Sequence, residues 1–361
     1  MAQLLVDTAE NVALALYNYG RRVQMLQWCD EALRVAVSIQ HNPGPLLIAK
    51  GRLEAALGNG DAAIQCYQQA INVSDRSSLV YAQALLGLVS TPLYQGKYQG
   101  ILEELQRIAS LLQQQGHPEY AILVDYHTAM YDFRHGKYET ALSSFVKLDN
   151  MLQQNAKLAQ LYPGTEVVDL QYNVRFAIGC VYRKRAFRRV RDRHHNYQKA
   201  REYHESLYKE SKEQVHREME AATAHHLGWI HLHQEDTTQA LKYAQEALEG
   251  YRKLNQISGM ADVYEQLGLI HIAIGQPETG LPLIQCSLDL RNQIDNKHGA
   301  ASSMRRIAIA QFHLKQWWQA ITSLRRSLHM YHSAGLLNLK RFIGIILELL
   351  EWTIGRKRLT L

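Results

Sequence analysis

Clustered histidines are the side chains of this sequence with the most specific chemical potential, because neighbouring imidazoles can bind a transition metal. Four of them lie close together at His225, His226, His231 and His233. Two metal ligands on one helix must be three or four residues apart to share a face, whereas His225 and His231 are six apart and His231 and His233 are two apart. His231 also has an equivalent forty residues later, His271. The spacing indicates packing, and we expect no metal and no other cofactor.

Other catalytic arrangements are missing from the sequence. The 4 cysteines are scattered and none forms C-x-x-C, which excludes a disulfide framework, a zinc ribbon and a thioredoxin-type redox motif. Neither the phosphate-binding loop GxxxxGK[ST] nor the nucleophile elbow GxSxG occurs. We therefore predict that the chain is not an enzyme and has no catalytic residues, and that it resides in a reducing cytoplasm.

A run of arginines offers a different chemistry, because guanidinium groups bind phosphates and carboxylates. Its net charge of +6 equals that of the whole chain. The run predicts binding of an acidic protein segment, a nucleic acid or an anionic lipid head group; the alternative is a solvated helical extension paired with acids such as Glu202 and Glu205. Only Phe187 lies within the run and Tyr197 lies just after it, which disfavours single-strand stacking. The cations are Arg183, Lys184, Arg185, Arg188, Arg189, Arg191 and Arg193.

The elements that carry these residues repeat at a constant period. Small residues recur at spacings of 40, and a second set of small residues lies twelve positions upstream of the first. Both positions fall within segments whose apolar residues follow i, i+3, i+4, i+7 spacing, which predicts a pair of amphipathic helices in each unit. Two helices can approach closely only where side chains are small. The two sets are Ala240, Gly280 and Ala320, and Gly228, Gly268 and Ala308.

The N-terminal half shows the same unit with glycines in the turns. Gly20, Gly58, Gly96 and Gly136 are spaced by 38, 38 and 40 residues, and Gly275 occupies the same turn. Such turns often need a positive φ, which glycine adopts freely. No segment alternates with the period of a strand, so we predict an all-α protein of stacked helical hairpins.

The pattern resembles the tetratricopeptide repeat (TPR) superfamily. Leu227-Gly228 and Leu267-Gly268 are similar to the family's first-helix pair, and the segment from Gly136 to Leu142, GKYETAL, is the strongest match to its second helix. The 40-residue period resembles the long-helix type found in kinesin light chains and bacterial TPR regulators. The second-helix trio of small and aromatic residues is Ala63, Tyr67 and Ala70.

This resemblance implies a right-handed superhelical solenoid of about eight hairpins over residues 1–336. The chain from Gly179 to Ala200 spans 21 residues where neighbouring units use twelve, which places a basic insertion, about residues 183–195, in the fifth repeat. Residues 337–361 are expected to form a capping helix and a basic tail. The apolar stretch from Phe342 to Ile354 is too short to cross a bilayer and contains Glu348 and Glu351, so no transmembrane segment is expected.

The resemblance also implies a function, because the first helices of TPR hairpins line a concave groove. We predict a non-catalytic scaffold, adaptor, or assembly or regulatory factor that binds a protein or peptide there, with Trp229 as apolar anchor and Arg305 for a carboxylate. The alternatives are a nucleic-acid-associated protein that uses the arginine run, and a peptide-sensing bacterial regulator. The predicted groove residues are Asn173, Phe176, His225, Trp229, Glu265 and Arg305.

Overall fold

The computed structural model describes residues 22–95, 99–117, 120–154, 166–188, 192–333 and 342–346. This part of the chain is helical throughout, with short turns and no strand. None of its helices is long and apolar enough to span a lipid bilayer. The chain forms two compact units, an N-terminal unit (Met1–Glu220) and a C-terminal unit (Ala221–Leu361).

Fifteen helices of nine or more residues follow one another in the described ranges, and residues 342–346 form a further short helical segment. The helices are α1 (Arg22–Ser38), α2 (Gly44–Leu57), α3 (Gly60–Val73), α4 (Leu79–Gln95), α5 (Ile101–Gln114), α6 (Ala121–Arg134), α7 (Tyr138–Gln154), α8 (Glu166–Arg188), α9 (Arg193–Glu213), α10 (Arg217–His233), α11 (Thr237–Lys253), α12 (Ile257–Ala273), α13 (Pro277–Gln293), α14 (Lys297–His313) and α15 (Trp317–Ser333).

Sequential helices of the N-terminal unit pack side by side around an aliphatic and aromatic core. Phe145 of α7 is fully buried in this core, together with Leu105 and Ile108 of α5. The predicted trio of α3 is also buried, and Tyr67 lies between two glycines: a Cβ at Gly51 or Gly87 would lie 2.8 or 2.5 Å from the tyrosine ring. Small residues on α2 and α4 therefore make room for the ring of the intervening helix.

The helix and turn lengths of the C-terminal unit explain the 40-residue period of the sequence. Helices α10 to α15 are each 17 residues long and each is followed, up to α14, by a three-residue turn. At the small-residue positions of α12 and α13, a Cβ on Gly280 would lie 2.5 Å from the carbonyl oxygen of Gly268. The close approach that the spacing predicts is thus made by backbone against backbone.

The turns adopt the left-handed backbone conformation at one residue, which is glycine in some repeats and not in others. Gly58, Gly136 and Gly275 have φ values of 92°, 73° and 86°. Equivalent turns place Glu235 at a φ of 65° and Lys315 at 61°. The prediction of a positive φ is confirmed at Gly58, Gly136 and Gly275, whereas Gly20 and Gly96 lie outside the described residues. Glycine is not required for this conformation.

Glu235→Gly is therefore expected to stabilise the protein by about 0.5–1 kcal/mol, because an L-residue pays a steric penalty in the left-handed region that glycine avoids. Urea denaturation followed by tryptophan fluorescence measures the change. The control is Gln245→Gly, in the exposed interior of α11, which should destabilise by about 1 kcal/mol. Equal losses for both variants would contradict the assignment of strain to the turn.

The two helices on either side of the predicted insertion are long. Helices α8 and α9 contain 23 and 21 residues, against 17 for each helix of the C-terminal unit. Of the expected C-terminal cap, residues 342–346 are helical, and Ile345 is buried against Ala301 and Tyr331. The rest of that segment, and the boundary at residue 336, lie outside the described residues.

Candidate functional site

A buried carboxylate organises the first-helix face of the C-terminal unit. Glu265 of α12 is 5% exposed, and its two oxygens accept four hydrogen bonds. Arg291 Nη1 donates to Oε2 at 2.7 Å, and Arg306 Nε donates to Oε1 at 3.3 Å. The hydroxyls of Ser302 and Ser303 donate at 3.4 and 3.2 Å. The repeat register predicts an exposed glutamate at this position, and the structure differs because these four donors surround it.

Arg291 joins three helices through one guanidinium group. From α13 it donates to Glu265, to the carbonyl oxygen of Gly299 on α14 at 2.6 Å, and through Nη2 to Asp262 of α12 at 2.6 Å. Burial by itself raises the pKa of Glu265, but the guanidinium groups of Arg291, Arg306 and Arg305 outweigh it and lower that pKa to about 2. The carboxylate is therefore ionised at neutral pH, and the ion pairs lock the three helices in register.

Trp229 is held on this face from several sides. From α10 its Nε1 donates to His225 Nε2 at 2.9 Å, which requires that nitrogen of His225 to be unprotonated. The indole stacks on His233 with ring centroids 5.7 Å apart, and the guanidinium carbon of Arg306 lies 5.9 Å from the indole centroid. Because Glu265 orients Arg306, the buried carboxylate also fixes the position of the tryptophan.

The face has an excess of positive charge. Three arginines, Arg291, Arg305 and Arg306, share it with two acids, Asp262 and Glu265. Burial and the neighbouring Arg305 lower the pKa of Arg306 to about 10, so it remains charged at neutral pH. Arg305 is half-buried, and its Nη2 lies 3.5 Å from the hydroxyl of Ser302. The structure thus brings His225, Trp229, Glu265 and Arg305 together on one unit.

The other two predicted groove residues belong to the N-terminal unit. Asn173 of α8 is exposed, as predicted. Phe176 is half-buried, packs beside Tyr172 and Leu207, and makes an edge contact with His204 at 5.2 Å between ring centroids. A role for Asn173 and Phe176 in partner binding stays a prediction.

The described part of the arginine run lies on long helices. Arg185 pairs with Glu139 of α7 at 3.3 Å, and its guanidinium carbon lies 5.7 Å from the Tyr182 ring centroid. Arg183 and Arg193 are half-buried, and Lys184 is exposed. The side chain of Arg188, and residues Arg189 and Arg191, lie outside the described residues. Anion binding by this run stays a prediction.

The acids expected beside the run have other partners. Glu202 pairs with Lys199 at 2.8 Å, and Glu205 lies 3.7 Å from Arg201. Both pairs lie within α9 and are spaced by one helical turn. Among the described residues of the run, Arg185 pairs with Glu139, which comes from a different helix and could not be found by sequence distance.

Cys29 and Cys180 are buried cysteines of the N-terminal unit. Burial raises the pKa of both the Cys29 and the Cys180 thiol to about 11. A thiol needs to ionise near neutral pH to act as a nucleophile, so these two are core residues.

Arg291 and Arg306 are the site residues that the sequence reasoning missed. Arg291 follows Ile284, Ser287 and Leu288 at i, i+3, i+4 and i+7 on the buried stripe of α13. A lone arginine on such a stripe needs a buried anion as its partner. The position of Arg291 on the apolar stripe was therefore a signal in the sequence for a buried ion pair. Arg306 had no comparable signal, because only its neighbour Arg305 falls on the predicted groove register.

Sequence profiles described as tetratricopeptide repeat match residues 45–76 and 259–333. The chain contains tetratricopeptide repeats. The second match covers α12 to α15 and so includes most of the Glu265 network. No curated protein matches the sequence.

Solved structures of TPR proteins share this fold at low sequence identity. A Rap protein complexed with competence and sporulation factor is 12% identical, with a TM-score of 0.61 over 87% of this chain and 83% of that chain. NprR in complex with its cognate peptide NprX is 13% identical, with a TM-score of 0.58 over 97% and 98%.

A STAND protein with a TPR sensor, from Pyrococcus horikoshii, is 14% identical with a TM-score of 0.55. The match covers 93% of this chain but only 49% of the STAND protein, so the TPR chain spans about half of its length. These likenesses establish the TPR fold, and the predicted all-α array of TPR hairpins is confirmed.

Proposed function

We propose that this TPR chain is a non-catalytic scaffold that binds a peptide or protein segment on the first helices of its C-terminal unit. The observation that carries the proposal is the fixed position of Trp229, whose indole is held by His225, His233 and Arg306. An aromatic side chain that is already ordered loses little entropy on binding. Tryptophan and arginine are also the residues that most often dominate the free energy of an interface.

The charge of the face supports a ligand with a carboxylate. Three arginines and two acids leave one positive charge in excess. The oxygens of Glu265 accept hydrogen bonds from internal donors. The Asp262 side chain, in contrast, is 53% exposed to solvent. A peptide that places an apolar side chain against Trp229 and a carboxylate near Arg305 would match the ordered indole and the excess positive charge.

The class of ligand is supported by the fold comparisons. Rap and NprR have the same fold, and their structures contain competence and sporulation factor and the cognate peptide NprX, respectively. A short peptide is therefore a better supported ligand for this face than a nucleic acid. The alternative function, a regulator that responds to such a peptide, is supported by these two comparisons.

Peptide selection tests the proposal directly. Peptides are selected from a random phage-displayed library on the full-length protein, and their Kd is measured by fluorescence anisotropy. Trp229→Ala and Arg305→Glu are each expected to weaken binding at least tenfold, which corresponds to about 1.4 kcal/mol. Helical content by circular dichroism should be unchanged.

Trp28→Ala is the matched control, because Trp28 is half exposed on α1 of the N-terminal unit. It should leave the Kd unchanged. Selected peptides that bind Trp229→Ala and Arg305→Glu as tightly as wild type would place the binding site elsewhere and overturn the proposal.

A further inference from the structure

The last described hairpin of the chain carries only positive charge. From Lys297 to Ser333, the span of α14 and α15, the sequence contains no aspartate or glutamate, and the acid-free stretch continues from residue 296 to residue 347. Six cations lie between Lys297 and Ser333, of which Arg305 and Arg306 belong to the Glu265 network. The others are Lys297, Lys315, Arg325 and Arg326.

Helix α15 also exposes large apolar side chains. Trp318 is 82% exposed and Ile321 is 51% exposed. Arg325 and Arg326, one turn further along, are exposed as well. Residues 318, 321 and 325 follow i, i+3, i+7 spacing and therefore form one stripe on the helix. We call Trp318, Ile321, Arg325 and Arg326 the α15 stripe.

The opposite face of α15 attaches the helix to its own hairpin. The hydroxyl of Ser327 donates to the carbonyl oxygen of Ala301 at 2.6 Å, and that of Ser323 donates to Gln311 at 2.8 Å. Tyr331 is buried on the same side. The α15 stripe is thus not needed to hold the hairpin together, and the described residues leave it uncovered.

The order of residues along the stripe identifies the kind of ligand. The apolar pair lies near the beginning of α15, and the cations follow about 6–12 Å further along the axis at 1.5 Å per residue. A helix that lies in a membrane surface separates apolar and cationic residues around its circumference. Here they are separated along the length, which suits a peptide segment lying beside the helix.

We propose that the α15 stripe is a second interaction surface, which binds an acidic segment of a partner protein that also carries a large apolar side chain. The apolar residue packs on Trp318 and Ile321, and acidic residues pair with Arg325 and Arg326. Because neighbouring cations repel one another and their own hairpin supplies no acid, an external carboxylate lowers the electrostatic free energy of this surface. This surface is separate from the Trp229 face and does not depend on it.

Two synthetic peptides test the surface. The first is a fluorescein-labelled 12-residue peptide with leucines at one end and glutamates at the other, and the second has lysines in place of the glutamates. Anisotropy with the full-length protein should show saturable binding of the glutamate peptide, which weakens with added salt. The double variant Arg325→Glu/Arg326→Glu should weaken it at least tenfold, and Trp318→Ala at least fivefold.

Matched controls separate this surface from general charge and from the Trp229 face. Lys209→Glu/Lys253→Glu makes the same change in net charge at helix positions that are 79% and 58% exposed. Trp28→Ala removes a half-exposed tryptophan elsewhere. Both controls should bind the glutamate peptide as wild type does, and in the Trp229→Ala background the Arg325→Glu/Arg326→Glu change should still weaken that binding at least tenfold. Circular dichroism should be unchanged for all variants.

Several results would overturn the proposal. One is a Kd of the glutamate peptide that does not change in the Arg325→Glu/Arg326→Glu variant, and another is equal binding of the lysine peptide. In a third, the protein binds neither peptide but is retained on phosphatidylserine vesicles, and Trp318→Ala abolishes this retention. That result would assign the stripe to a membrane surface. Self-association that Trp318→Ala abolishes, without peptide binding, would assign it to a second copy of the chain.

Discussion

Glu265→Gln is expected to destabilise the C-terminal unit by about 3–5 kcal/mol, the largest single effect we predict. The substitution keeps the size of the side chain but removes the charge that compensates Arg306 and that, together with Asp262, compensates Arg291. Both arginines are largely buried. Breaking a buried ion pair leaves an uncompensated charge, which costs far more than an exposed pair contributes. Four of the 5 tryptophans lie after residue 220, so tryptophan fluorescence during urea denaturation reports chiefly on this unit.

Acid provides an independent readout of the same carboxylate. The pKa of Glu265 in the folded protein is about 2, below its ordinary value of 4.5. A depressed carboxyl pKa contributes stability above pH 4.5, and that contribution is lost as the pH falls from about 4.5 towards 2. Wild type should lose stability over this range, and Glu265→Gln should lose less because it has no proton to bind there.

The control for Glu265→Gln is Glu249→Gln. Glu249 pairs with Lys253 at 3.2 Å, but both side chains are more than half exposed. An exposed pair of this spacing contributes about 0.3–0.5 kcal/mol. Similar losses for the two variants would show that the Glu265 network does not hold α12, α13 and α14 together.

Gly280→Ala is expected to destabilise the same unit by about 1–3 kcal/mol. The new Cβ would lie 2.5 Å from the carbonyl oxygen of Gly268 and 3.0 Å from Ile272 Cγ1. The first neighbour is backbone and cannot rotate away, so α12 and α13 must move apart. Because Asp262, Glu265 and Arg291 bridge these two helices, we expect the ion pairs to lengthen as well. The measurement is the urea midpoint of the full-length protein.

Gly344→Ala is the matched control for this substitution. Gly344 lies in the helical segment 342–346, and a Cβ there would have no neighbour within 4 Å. Alanine favours a helix over glycine by up to about 1 kcal/mol, so this variant should be neutral or more stable. If Gly280→Ala is equally harmless, the close contact of the two glycines does not limit the packing of the repeat.

The array of repeated helical hairpins is the property that the sequence by itself determined. Apolar spacing and small residues every forty positions are local features, and they predict paired helices and their points of contact without any knowledge of the partner helix. Gly268 and Gly280 make the contact that their spacing predicts. The same register places Trp229 and Arg305 on the first-helix face, where the structure has both half-buried.

Tertiary structure alone decided what surrounds each charged residue. The register marks Glu265 as a groove residue, but Arg291, 26 residues later, and Arg306, 41 residues later, enclose it. Sequence distance does not reveal such pairs, because the partners come from three different helices. Likewise, Glu139 pairs with Arg185, whereas the nearer Glu202 and Glu205 pair within α9. Periodicity specifies which helices form and touch, but the free energy of a buried charge depends on which side chains meet it in space.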